Sequence, residues 1–67
     1  MNLTVNGEQV RVEEPRLTVE GLVALRGLRG ATCAVEVNRA LVPRRERETR
    51  ELRDGDVVEI VTLVGGG

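Results

Sequence analysis

Met1-Asn2-Leu3-Thr4-Val5-Asn6-Gly7-Glu8-Gln9-Val10-Arg11-Val12 is the stretch whose reading decides the fold. Asn6-Gly7 is the strongest short hairpin signal, because both central positions of a type I′ turn need φ > 0. A two-residue loop at 6–7 sets Val5 opposite Glu8, Leu3 opposite Val10 and Met1 opposite Val12. Directly opposed residues share a face, so Met1, Leu3, Val5, Val10 and Val12 line one side, with Glu8 at the turn end. Thr4, Asn6, Gln9 and Arg11 fall on the other side. The hairpin therefore has one face to bury.

Glu13-Glu14-Pro15-Arg16 breaks the second strand. Thr18 then makes a good N-cap, and Glu20 lies in the first turn, where the helix dipole favours a carboxylate. Val19, Leu22 and Val23 follow i, i+3, i+4 spacing, with Leu25 beside them. Gly21 weakens this short helix by about 1 kcal/mol relative to alanine. Gly27 fits the C′ position of a Schellman end, with Leu28 as its apolar follower, and Gly30 opens the next loop. Cys33-Ala34-Val35-Glu36-Val37-Asn38 alternates as a strand with Cys33, Val35 and Val37 facing in, which makes Cys33 a small core residue. Pro43 confines Leu41-Val42-Pro43 to an edge or a turn. Residues 44–53 are a mixed-charge run, expected to be a solvated face with Leu52 as its one apolar anchor. A single helical turn there would make Glu46–Arg50 and Arg47–Glu51 i, i+4 neighbours. Asp54-Gly55-Asp56 turns the chain into a last strand at 57–64. If Val58 and Ile60 face the helix, Val57, Glu59, Val61 and Leu63 face outward, and Val61 with Leu63 makes a small apolar docking patch.

The element order is strand, strand, helix, strand, short edge piece, strand. The fold class is α+β, a mixed four- to five-stranded sheet with one main helix on one face and the other face open. That is the ubiquitin-like β-grasp arrangement. The domain is placed at 1–64 and a C-terminal glycine tail at 65–67.

Composition excludes much. Sixty-seven residues make one small domain without room for both a core and a deep catalytic cleft. Twelve valines and no aromatics favour strands in the core. One cysteine and no histidine exclude a disulfide framework, an ordinary zinc site and the usual general base, so no catalytic or metal-binding residues are assigned. A net charge of −1 and the absence of aromatics argue against nucleic acid. With no long apolar run or signal-like N-terminus, the chain is expected to be soluble and cytoplasmic, with no membrane partner. It has no lysine, so the N-terminus is its one amine.

Gly65-Gly66-Gly67 adds nothing to a core. The tail is a thin arm ending in the Gly67 α-carboxylate, and three extended residues reach about 10 Å at roughly 3.3–3.6 Å each. Such an arm suits entry into another protein's active site, with Gly65 and Gly66 threading a narrow channel.

Several segments carry a family resemblance. They are Val5-Asn6-Gly7, Thr18-Val19, Ala34-Val35-Glu36-Val37-Asn38 with Val42-Pro43-Arg44, Leu52-Arg53-Asp54-Gly55-Asp56-Val57-Val58-Glu59-Ile60-Val61, and Val64-Gly65-Gly66-Gly67. Over essentially its whole length the chain resembles the ThiS family of sulfur carriers of thiamin biosynthesis, relatives of molybdopterin-synthase small subunits. The resemblance implies a carrier with no bound cofactor, not an enzyme. A ThiF-like, E1-type adenylyltransferase spends ATP to activate the terminal carboxylate, here Gly67. Sulfur delivered through a cysteine desulfurase or sulfurtransferase then leaves a thiocarboxylate, and a ThiG-like thiazole synthase consumes it. Partner recognition is expected on Val57, Glu59, Val61 and Leu63. Other readings are a carrier for molybdopterin, tRNA thiolation, cysteine or a secondary metabolite, a ubiquitin-like protein modifier, and a plain β-grasp binding module.

Overall fold

A computed structural model describes residues 1–29 and 32–63. Its elements are β1 (Asn2–Val5), β2 (Glu8–Arg11), α1 (Val19–Leu25), β3 (Cys33–Val37), β4 (Ala40–Leu41) and β5 (Val57–Thr62), with a 3₁₀ turn at Arg44–Glu46. The five strands form one sheet in the order β2-β1-β5-β3-β4. β5 is antiparallel to β3 and parallel to β1, so the last strand fills the middle.

The hairpin has the expected register, with Leu3 opposite Val10 and Val5 opposite Glu8. Asn6 at φ 50° and Gly7 at φ 81° supply the two left-handed turn residues. The pairing continues past the strands: the Met1 ammonium donates to the Val12 carbonyl at 2.6 Å, and the Val12 amide donates to the Met1 carbonyl at 2.9 Å.

Thr18 caps α1, its Oγ1 accepting from the Gly21 amide at 3.0 Å. The helix ends in a Schellman motif, with the Leu28 amide donating to the Val23 carbonyl and Gly27 N–H to Ala24. Val19, Leu22 and Val23 are buried against the sheet with Leu3, Val5, Val12, Leu17, Cys33, Val35, Val37, Val42, Leu52, Val58 and Ile60. Glycine at position 21 has a packing reason: a Cβ there would lie 2.8 Å from Leu17 Cδ1. Leu25 does not join the core; it is exposed, because at i+6 from Val19 it has rotated off the buried stripe.

The charged segment departs most from expectation. Neither Glu46–Arg50 nor Arg47–Glu51 forms an ion pair among the described residues; Glu51 pairs instead with Arg16 at 3.2 Å. Residues 47–52 wrap the start of α1. The Val19 and Glu20 amides, which lack intrahelical partners, donate to the carbonyls of Arg50 and Arg47, each at 2.9 Å. Arg47, expected in solvent, is only 6% exposed. Its guanidinium donates to the Cys33 carbonyl at 2.5 Å and lies 3.5 Å from the Cys33 Sγ. The cause is the shortness of β4. The Val42 amide still reaches the Val35 carbonyl at 2.9 Å, but at Cys33 the neighbouring strand has ended, and Arg47 supplies the missing donor. Among the described residues no helix is long and apolar enough to cross a membrane.

Candidate functional site

The site expected from the sequence is the far end of β5 and the sheet face beside it. Strand alternation along β5 holds from Val57 to Val61: Val58 and Ile60 are buried, whereas Val57, Glu59 and Val61 are exposed on the side away from α1; at the strand end Thr62, on the buried side, is also exposed. Val61 is 55% and Leu63 54% exposed, so the apolar patch leading towards the tail is present. Gly65, Gly66 and Gly67, together with Val64, lie outside the described residues.

The end of β5 is held on both sides. Thr62 pairs with Cys33, and the Leu63 amide donates to the Thr32 carbonyl at 2.8 Å, so sheet pairing on the β3 side runs to Leu63. On the β1 side the strand stops at Val5, and the Asn6 side chain takes over. Its Oδ1 accepts from the Ile60 amide at 2.7 Å, and its Nδ2 donates to the Ile60 carbonyl at 3.1 Å. One amide thus adds a rung to the parallel β1–β5 ladder.

Asn38 performs a similar task at the start of β5. It sits at φ 51° in the β3–β4 turn, and its Oδ1 accepts from the Val57 amide at 3.0 Å. Its Nδ2 donates to Asp56 Oδ1, also at 3.0 Å, while Asp56 Oδ2 accepts from the Arg53 amide at 2.8 Å. Asn6 and Asn38 therefore fix the strand from opposite sides and near opposite ends. Sequence reasoning assigns Asn6 a turn role and Asn38 none. The available signal is a side-chain amide, both donor and acceptor, at each turn beside a strand edge that has to continue.

The open face extends beyond β5. Leu41, 65% exposed, lies opposite Glu36, and Glu36 lies opposite Glu59; Ala34 lies opposite Val61. Leu41 and Glu36 therefore join Val57, Glu59 and Val61 on one surface. Among the described residues there is no group of three or more His, Cys, Asp or Glu placed to hold a metal ion. Cys33 is buried with its thiol against Arg47.

The central strand is thus held from both flanks, beside an uncovered apolar and acidic face. The model of the ThiS family matches residues 2–67. The sulfur carrier protein ThiS of Bacillus subtilis is 35% identical over 65 residues, covering 97% of this chain and 98% of that protein. A thiazole synthase of Paramagnetospirillum magneticum is 39% identical over 67 residues, all of this chain but only 20% of that protein. The crystal structure of a thiamine biosynthesis protein, ThiS, from Geobacter metallireducens superposes with a TM-score of 0.85 at 35% identity, covering 100% of both chains. With its matched length, β-grasp sheet and single helix, the chain belongs to the ThiS family.

Proposed function

We propose that this chain, a sulfur carrier of thiamin biosynthesis by its family, carries the sulfur as a thiocarboxylate at Gly67 and hands it to a thiazole synthase. A free α-carboxylate has a pKa of about 3.3–3.7, so it is anionic at neutral pH and a poor electrophile. An E1-like adenylyltransferase spends ATP to give the carboxylate a leaving group. The terminal sulfur of a persulfide, formed from cysteine on a desulfurase or sulfurtransferase, then attacks the acyl carbon: the carbon–sulfur bond forms as the bond to the AMP oxygen breaks. A second thiol cleaves the resulting acyl disulfide, releasing the thiocarboxylate and leaving a disulfide on the donor. The product anion stays nucleophilic without a helper base. No cofactor is bound by the chain itself, and ATP use by the partner points to the cytoplasm.

The observation that carries the reading is the clamped central strand with the glycine arm beyond it. Four residues separate Leu63 from the Gly67 carboxylate, which limits their extended reach to about 14 Å. A partner must therefore sit close to the sheet end, and Val57, Glu59, Val61 and Leu63 are the residues it meets. The thiazole synthase relative, a fifth of whose length matches this chain, supports that enzyme as the sulfur acceptor. The chain is also a poor target for its own activated terminus. It has no lysine, and the Met1 ammonium is hydrogen-bonded to Val12.

Intact mass of the protein purified from its native host should show one oxygen replaced by sulfur at the C-terminus. Deleting Gly67 should abolish ATP-dependent adenylation while leaving the melting temperature unchanged. Adenylation of the truncated chain at the full rate would refute the carrier reading.

A further inference from the structure

The open face carries an unusual pair. Glu36 and Glu59 are directly opposed across β3 and β5, and both are exposed. Cβ atoms of opposed residues lie about 4.5–5.5 Å apart, and like charges so placed destabilise a sheet. No arginine forms an ion pair with either carboxylate: the ion pairs among the described residues engage Glu13, Glu51 and Glu8. Arg39 borders the same shallow concavity as Val57 and Glu59, yet it bridges neither carboxylate.

The surroundings of the pair are apolar. Leu41 lies opposite Glu36 on β4, Val57 and Val61 flank Glu59 along β5, and Ala34 faces Val61. A surface of this composition sheds water when a partner covers it. Two carboxylates then lose solvation, at a cost that a well-placed opposite charge offsets. Resting on the carrier reading, which makes this face the site of docking, we propose that the adenylyltransferase inserts an arginine or lysine side chain between Glu36 and Glu59. Its apolar side chains then cover Leu41, Val61 and Leu63.

The repulsion in the free protein is a selection device. A partner with the cation relieves it, whereas a protein with a merely apolar surface would have to bury two like charges. The pair thus acts against wrong partners as well as for the right one.

The test compares Glu36→Gln, Glu59→Gln and Glu14→Gln, which make the same change in net charge. Glu14 is exposed in the β2–α1 connection, off the sheet face. Affinity for the adenylyltransferase of the same organism is read by calorimetry, and thermal unfolding is read on the free proteins. Each of the two face variants should raise Kd about tenfold or more, and Glu14→Gln should change it less than about twofold. The face variants should melt at or above the wild-type temperature, because a repulsion has been removed. Face variants that bind as tightly as wild type would overturn this inference and leave the carrier reading standing. So would an equal loss in Glu14→Gln, which would mean net-charge steering, or a lowered melting temperature of the face variants. A wild-type chain that does not bind the adenylyltransferase would overturn both.

Discussion

Asn6→Ala should be among the most damaging single changes in the protein, although Asn6 is exposed and sits in a turn. The substitution removes the bonds to the Ile60 amide and carbonyl, at 2.7 and 3.1 Å. Each lost bond leaves a strand group unpaired at a half-buried site, and at about 1–1.5 kcal/mol apiece the pair is worth roughly 2–3 kcal/mol. Alanine must also hold φ near 50°, where asparagine is tolerated and alanine pays about 1 kcal/mol. The sum is roughly 3–4 kcal/mol. Typical stabilities of 0.05–0.15 kcal/mol per residue give a domain of this length only about 3–10 kcal/mol. Two further variants separate the contributions. Asn6→Gly accepts the backbone angle freely, so it should lose only the hydrogen bonds, about 2–3 kcal/mol. Asn6→Asp keeps the acceptor for the Ile60 amide but faces the Ile60 carbonyl with a second oxygen, and should fall between wild type and alanine. The chain has no aromatic residue, so urea unfolding is followed by far-UV circular dichroism. An Asn6→Ala protein within about 0.5 kcal/mol of wild type would refute the claim that this side chain acts as a rung of the sheet. Equal losses for glycine and alanine would refute the backbone part alone.

Val61→Arg should fold normally and lose affinity for the adenylyltransferase, whereas Ile60→Arg, one residue earlier, should unfold the domain by placing an unpaired charge in the core. Thermal melts with a pull-down decide it, and an exchange of the two outcomes would overturn the docking face. Cys33→Ser should leave sulfur loading intact and lower the melting temperature by about 4–8 °C, the shift expected for roughly 1 kcal/mol in a domain this small. Loss of thiocarboxylate at unchanged stability would show instead that the thiol takes part in transfer. Arg47→Met keeps most of the buried volume and loses chiefly the bond to the Cys33 carbonyl. It should cost about 1–2 kcal/mol in urea unfolding, less than Arg47→Ala, which also leaves a cavity.

The elements that could be read from the sequence are those with local causes. Asn6-Gly7 sets the hairpin register without reference to the rest of the chain, and Thr18 and Gly27 mark the ends of α1 by their own capping chemistry. The outward set on β5 follows from alternation alone. The features that could not be read depend on partners distant in sequence. Arg47 looks like any other member of a charged run until β4 proves too short to cover the Cys33 carbonyl. Asn6 looks like a turn residue and Asn38 like a strand end until β5 arrives beside them. Glu36 and Glu59 are each an ordinary outward strand residue. Only the β3–β5 pairing makes them neighbours, and nothing within either strand announces that pairing.

The position of β5 also sets an order of events during synthesis. The strand that joins the two halves of the sheet is the last to be made, and its neighbours are β1, from the opposite end of the chain, and β3. Until it arrives, the β1–β2 and β3–β4 hairpins have no strand between them, and Asn6 and Asn38 have nothing to grip. Pairing of such sequence-distant segments is the slow part of folding, and chains emerge N-terminus first. The open face running from Leu41 across Glu36 to Val61 therefore comes into being only once β5 has been made and has paired. For the proposed carrier role, docking through the sheet thus doubles as an inspection step, because an activating enzyme that reads this face engages only copies whose last strand is in place.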